Sequence, residues 1–139
     1  MIFSTKDREP FINSEVRPHL HGFLANSVRN TGCQCYRVGG TADHVHLAIR
    51  LTRTIEIAKL LDQIKTPSSS WMKSQGHEFK GFTWQRGYGC FSVGPKSLDP
   101  LRKYIDEQHE HHRFKTFKEE YLQFLEQYEM EYDERYLWD

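Results

Sequence analysis

Three pairs of the form His-x-His occur among the eight histidines of this 139-residue chain: His19/His21, His44/His46 and His109/His111. Two imidazoles projecting side by side form half of a site for a divalent metal ion. The backbone must first aim both rings the same way. Residues two apart share a face on a strand but not on a helix. The first and third pairs lie in segments with helical periodicity. The middle pair sits in Gly39–Leu51, GGTADHVHLAIRL, where His44, His46, Ala48 and Arg50 alternate with Val45, Leu47, Ile49 and Leu51. That alternation predicts a half-buried strand with both imidazoles on one side and an apolar set behind them. A solvated polar strand face is the alternative reading of the same pattern.

A second group with chemical potential lies sixty positions on, in Leu101–His112. Tyr104, Gln108 and His111 fall on one face of a helix, with Leu101 and Ile105 on a neighbouring stripe that would seat it. A phenol is a nucleophile once deprotonated, and an amide oxygen is a neutral metal ligand. An ordinary surface pair has the same spacing, so only the conjunction with His44 and His46 lends it weight.

These residues need a scaffold. Met1–Lys6 reads as the end of a strand, and Phe11–Arg29 as a helix with Ser14 as N-cap and Gly32 after its end. Cys33–Val38 reads as a strand, turned through Gly39-Gly40 into the histidine strand. Thr54–Gln75 is a second helix, expected to kink or break at Pro67. Phe82–Gln85 and Tyr88–Val93 read as short strand pieces. Ser97 or Asp99 caps a third helix running to about His112, with Pro100 in its first turn. Lys115–Tyr128 is a fourth helix, and Glu129–Asp139 a polar tail. The order strand–helix–strand–strand–helix–strand is that of an α+β, ferredoxin-like antiparallel sheet with helices on one face, here followed by C-terminal helices that carry the tyrosine.

The size predicts a single domain, 1–139. Net charge is zero, but its distribution is uneven: residues 1–118 hold 18 Lys+Arg against 11 Asp+Glu, and residues 119–139 hold 1 against 8. A basic body with an acidic C-terminal helix or tail is compatible with polyanion binding. Lys6, Arg8, Lys65, Lys73, Arg86, Arg102 and Lys103 are candidate phosphate contacts. Trp71, Trp84 and Tyr88 are candidate stacking platforms, or core. No apolar run approaches the roughly 20 residues of a membrane helix and no signal peptide is visible, so a cytoplasmic protein is expected. Cys33, Cys35 and Cys90 lack a disulfide or zinc spacing and read as reduced.

FSTKDREPF at 3–11, DHVHL at 43–47, WQRGYGCFSV at 84–93 and YIDEQHEHH at 104–112 together resemble the HUH single-tyrosine transposases, the insertion-sequence and REP-associated family. The first strand begins several residues later than is usual there. The resemblance implies that His44, His46 and Gln108 hold Mg²⁺ or Mn²⁺ and that Tyr104 is the nucleophile. It also implies a substrate of single-stranded DNA with hairpin-bearing ends, a 5′-phosphotyrosine intermediate, a homodimer, and a location on the nucleoid. Asp43, His111 and Lys103 are candidates to help Tyr104 lose its proton. Two other readings stand beside it: a hydrolytic metal-dependent nuclease, and a catalytically inactive ferredoxin-like binder of single-stranded or hairpin DNA.

Overall fold

The computed structural model describes residues 1–112 and 114–139. Its strands are β1 (Ile2–Ser4), β2 (Gln34–Gly40) and β3 (His44–Arg50), joined as an antiparallel sheet in the order β1-β3-β2. Its helices are α1 (Arg17–Asn30), α2 (Ile57–Lys73), α3 (Leu98–Asp106), α4 (Gln108–His111), α5 (Phe117–Gln127) and α6 (Glu134–Leu137). The architecture is the expected α+β, ferredoxin-like one. The fourth strand is reduced to two isolated bridges on the free edge of β1, Ile2 with Gly89 and Thr5 with Trp84. Arg86-Gly87 lies between those bridges and interrupts what would otherwise be a ladder.

The two faces of the sheet have different neighbours because alternate residues point opposite ways. Phe3, Val45 and Leu47 join Leu20, Leu24 and Val28 of α1 and Leu60, Leu61 and Ile64 of α2 in the main core. Each fully buried aliphatic side chain there contributes roughly 1.5–3 kcal/mol. Ile2 and the two histidines face the other way, where Ile2 packs with Phe117, Tyr121 and Leu125 of α5. The expected half-buried β3 is therefore buried on both faces from His44 to Ala48, because the C-terminal helices cover its histidine side.

Several boundaries differ from the sequence expectation, each for a local reason. α1 starts at Arg17 instead of Phe11, since Asn13 Oδ1 accepts from the backbone N–H of Glu15 and Val16 and Pro18 occupies the first turn. Ile12, fully buried, belongs to the extended approach. α2 runs through Pro67 without a break. The Ser68 hydroxyl donates to Ile64 O at 2.7 Å and accepts from Trp84 Nε1 at 2.9 Å, which ties this turn into the core. Trp84 is thereby a core residue, edge-on to Phe3 and Phe82, and not a platform for bases.

Gly39 and Gly40, expected to form the turn, are the last residues of β2 and pair with His46 and Val45. The turn itself is formed by 41–43. Gly39 is required by packing: a Cβ there would stand 2.7 Å from the carbonyl oxygen of Ile105. The missing side chain lets α3 lie directly on the sheet beside His46. The third helix ends at Asp106. Glu107 (φ −97°, ψ 20°) separates it from α4, so Tyr104 and Gln108 stand on either side of a bend.

Candidate metal and tyrosine site

β3 delivers His44 and His46 with ring centroids 5.2 Å apart. α3 delivers Tyr104, whose ring lies 5.8 Å from that of His46, and α4 delivers Gln108. The two histidines and the Tyr104/Gln108 pair, about sixty positions apart in sequence, converge within one chain.

His44 is fully buried, with Nδ1 2.7 Å from Asp43 Oδ1 and 3.1 Å from the Thr41 hydroxyl. A carboxylate only accepts, so in a neutral ring Nδ1 carries the proton and Nε2 presents a lone pair. That Nε2 faces Gln108 Oε1 at 3.0 Å. The amide is oriented by its Nε2 donating to the carbonyl of Tyr104 at 3.2 Å. Two lone pairs facing one another at this distance call for a cation, or for a second proton on His44.

His46 Nε2 lies 3.0 Å from Glu120 Oε1. Burial pushes the His46 pKa down to about 4 against the pull of Glu120, so the ring is neutral at physiological pH and donates. The other carboxylate oxygen, Oε2, accepts the phenolic proton of Tyr104 and sits 3.2 Å from His112 Nε2. Burial alone would raise the Glu120 carboxyl; the hydrogen bonds from His112, His46 and Tyr104 instead hold it well below the usual carboxylate range. Tyr104 moves the other way: burial, then the acceptor and charge of Glu120, raise its phenol above the ordinary value. The phenol is therefore firmly protonated in this arrangement.

His112 Nδ1 donates to Lys115 O at 2.6 Å, and its Nε2 stands 3.0 Å from Gln108 Oε1. Burial works against a charge on His112, but the hydrogen bond and charge of Glu120 prevail and its pKa is raised. His111 stacks on Tyr104, with centroids 4.4 Å apart and planes at 25°. Its Nε2 is buried without a hydrogen-bond partner among the described residues.

His44, His46, His112 and Glu120 each offer a donor atom, all within 4.8 Å of one another. Two ligands bound at about 2.1 Å can be no more than about 4.2 Å apart, so a divalent ion requires a contraction of a few tenths of an ångström. Imidazole nitrogens, an amide oxygen and a carboxylate suit such an ion chemically.

Sequence reasoning missed Glu120 and His112. Glu120 lies in the acidic 119–139 segment, yet it shares the buried stripe of α5 with Phe117, Tyr121 and Leu125. A carboxylate on an apolar stripe was the available signal. Of the helpers expected around Tyr104, Asp43 bonds His44 and His111 stacks on the phenol ring. Lys103 is exposed, 4.0 Å from Glu107, and does not reach the phenol.

The candidate DNA cations form no single patch. Lys6, Arg8 and Arg86 cluster by the edge of β1, where the backbone N–H of Lys6 donates to Thr83 O. Arg8 Nη1 donates to Trp138 O at 3.1 Å, and the backbone N–H of Arg86 to Asp139 O. Arg102 and Lys103 lie on α3, Arg102 paired with Asp99 at 2.9 Å and resting 5.2 Å from the Tyr36 ring centre. Lys65 donates to the carbonyls of Gln85 and Gly87, and with Lys73, Arg86 and Tyr88 lines one groove. A separate cleft of about 400 Å³ opens beside the site, lined in part by Ile2, His46, Phe91, Tyr104, Phe124 and Tyr128. No helix among the described residues is long and apolar enough to cross a membrane.

Residues 1–108 match the family described as "Transposase IS200 like". No curated protein matches the chain. Among solved structures, the fold is similar to the crystal structure of a protein assigned as a transposase from Deinococcus radiodurans R1. The TM-score is 0.60 and the identity 23%, over 77% of this chain and 86% of that one.

Proposed function

The chain belongs to the IS200-like transposase family, and we propose that it cuts and rejoins single-stranded DNA through a 5′-phosphotyrosine on Tyr104, with a divalent metal held by His44, His46 and Gln108. The observation that carries this reading is that Tyr104 stands beside His46, its ring 5.8 Å away, while His46 adjoins His44 and His44 faces the Gln108 amide, all inside one subunit. The family makes DNA the partner. The cleft beside Tyr104 supports an unpaired strand, because Phe91, Phe124 and Tyr128 offer ring faces on which bases stack.

In the proposed step the Tyr104 oxygen attacks phosphorus as the bond to the 3′ oxygen breaks. The phenolic proton leaves and the departing strand gains one as its 3′-OH. Bond energy is retained in the phosphotyrosine, so a second strand's 3′-OH can reverse the step without ATP. Mg²⁺ or Mn²⁺ at the histidines would supply Lewis acidity toward the phosphate oxygens. The chain's own contribution is positional. Asp43 and Thr41 set the His44 ring, Tyr104 O sets the Gln108 amide, and His111 and Glu120 hold the phenol from its face and its edge.

The test is incubation of end-labelled single-stranded oligonucleotides from the DNA flanking the gene with the protein and Mn²⁺ or Mg²⁺. An adduct that survives denaturing electrophoresis, needs the metal and disappears in Tyr104→Phe is the expected result. Cleavage persisting in Tyr104→Phe would instead indicate hydrolysis at the same histidines.

A further inference from the structure

We infer that Glu120 is itself a ligand of the divalent ion, so that α5, which lies beyond the family-matched residues 1–108, completes the metal site with a carboxylate. The inference deepens the metal-dependent reading above and rests on it.

Burying a carboxylate is costly unless cations or several donors compensate it. Glu120 is 2% exposed, and neither lysine nor arginine is its partner among the contacts of the described residues. Its neighbours are two imidazoles and a phenol, with Asp43 as a second carboxylate on the far side of His44. In the metal-free protein those three groups donate to the carboxylate, and a divalent ion would take their place on the side that faces His44 and His46.

The geometry agrees. His46 Nε2 donates to Glu120 Oε1 at 3.0 Å in the metal-free protein, so an ion that displaced this proton to Nδ1 would find both atoms as neighbouring ligands. The Glu120 donor lies within 4.8 Å of those of both His44 and His46. On the amide side, His44 Nε2 and Gln108 Oε1 already face one another at 3.0 Å. The carboxylate, the imidazoles and the amide thus surround one small volume. The two carboxylate oxygens divide the work: Oε1 is on the His46 side, while Oε2 accepts from Tyr104. Glu120 would then tie the nucleophile to the metal centre through one rigid group. A His/His/carboxylate donor set also binds first-row ions such as Mn²⁺ more tightly than Mg²⁺, which favours oxygen and water ligands.

The test is Mn²⁺ binding to the full-length protein, followed by the electron paramagnetic resonance signal of free Mn²⁺ and by calorimetry. It compares wild type, Glu120→Gln, Glu120→Asp, His46→Ala, and Glu126→Gln as a same-charge change on the exposed side of α5. Glu120→Gln is expected to weaken binding at least about tenfold, Glu120→Asp to recover part of the loss, and Glu126→Gln to stay within about twofold. Should Glu120→Gln not fold, Glu120→Asp alone decides, since moving a coordinating carboxylate back by one methylene must lower the affinity. Wild-type affinity in Glu120→Gln or Glu120→Asp, with binding lost in His46→Ala, would overturn the inference and leave the metal-dependent reading standing. A wild-type protein that takes up no Mn²⁺ would overturn both.

Discussion

The phenol of Tyr104 donates its proton to Glu120 Oε2, a carboxylate sixteen residues further along the chain and on another helix. The contact joins the proposed nucleophile to a group that also touches His46 and His112. It raises the phenol's pKa and lowers the carboxyl's, so both stay in their ordinary ionisation states, the tyrosine neutral and the glutamate charged.

Tyr104→Phe should therefore have two separable effects. Adduct formation falls to background. In metal-free buffer the protein also loses about 1–3 kcal/mol, the value of a hydrogen bond to a charged acceptor. Urea unfolding in EDTA measures the second effect, and a variant as stable as wild type would show that the contact contributes nothing to folding.

Asp43→Asn tests how the His44 ring is set. The amide can present N–H to Nδ1, which permits the wrong tautomer and leaves Nε2 protonated against Gln108. Divalent-metal affinity is expected to drop about 10–100-fold while the fold persists. Calorimetric titration with Mn²⁺, alongside a far-ultraviolet circular dichroism spectrum, checks both halves.

At Gly39 the prediction is steric. A methyl group there meets Ile105 at its backbone as well as its side chain, so α3 must lift from the sheet and carry Tyr104 with it. Gly39→Ala should cost about 1–3 kcal/mol and depress adduct formation. A melting temperature equal to wild type would refute the close packing described for α3.

Acid should weaken the protein through two histidines whose surroundings disfavour a charge, half-buried His21 and buried His46. Burial, then the charge of Arg17, lowers the His21 pKa to about 4, and its Nε2 has no hydrogen-bond partner among the described residues. The unfolded chain takes up this proton near pH 6.5 while the folded chain refuses it. Stability is thus full above about 6.5 and declines as pH falls toward 4, by at most about 3 kcal/mol for this group. His46 adds to the same decline in metal-free protein. Thermal melts from pH 7.5 to 4 should show a shallower slope in His21→Leu; an unchanged slope would remove His21 from the account.

The C-terminal residues lie against two of the candidate DNA cations: Trp138 O accepts from Arg8, and Asp139 O from the backbone of Arg86. Deletion after Tyr128 removes five acidic side chains and one arginine and frees Arg8. Affinity for single-stranded DNA near 0.1 M salt should rise about three- to tenfold. Fluorescence anisotropy with a labelled oligonucleotide would detect it, and an unchanged affinity would make this packing purely structural.

Much of this architecture was legible in the chain because it is encoded by local period. Alternation placed His44 and His46 on one side of a strand, whereas the single helical face expected for Tyr104 and Gln108 is divided by the bend at Glu107, across which the Gln108 amide still reaches Tyr104 O. The broken fourth strand was legible as two pieces divided by Arg86-Gly87, but not that each piece would be reduced to a single bridge, at Trp84 and at Gly89. Gly39 was misassigned to a turn because its constraint is a helix sixty-six residues away, which no local pattern carries. Glu120 was overlooked for a different reason. Its charge matches the acidic residues around it and masked its place on the apolar stripe of Phe117, Tyr121 and Leu125, which sets it apart from the exposed Glu119.

The helices beyond residue 108 roof the histidine side of β3. Trimming the chain to the family-matched residues 1–108 would keep both histidines, Tyr104 and Gln108, and would leave Ile2, His44 and His46 on a sheet face stripped of α5. Exchanging these C-terminal helices between relatives would, for the same reason, transplant part of the candidate site and not an accessory.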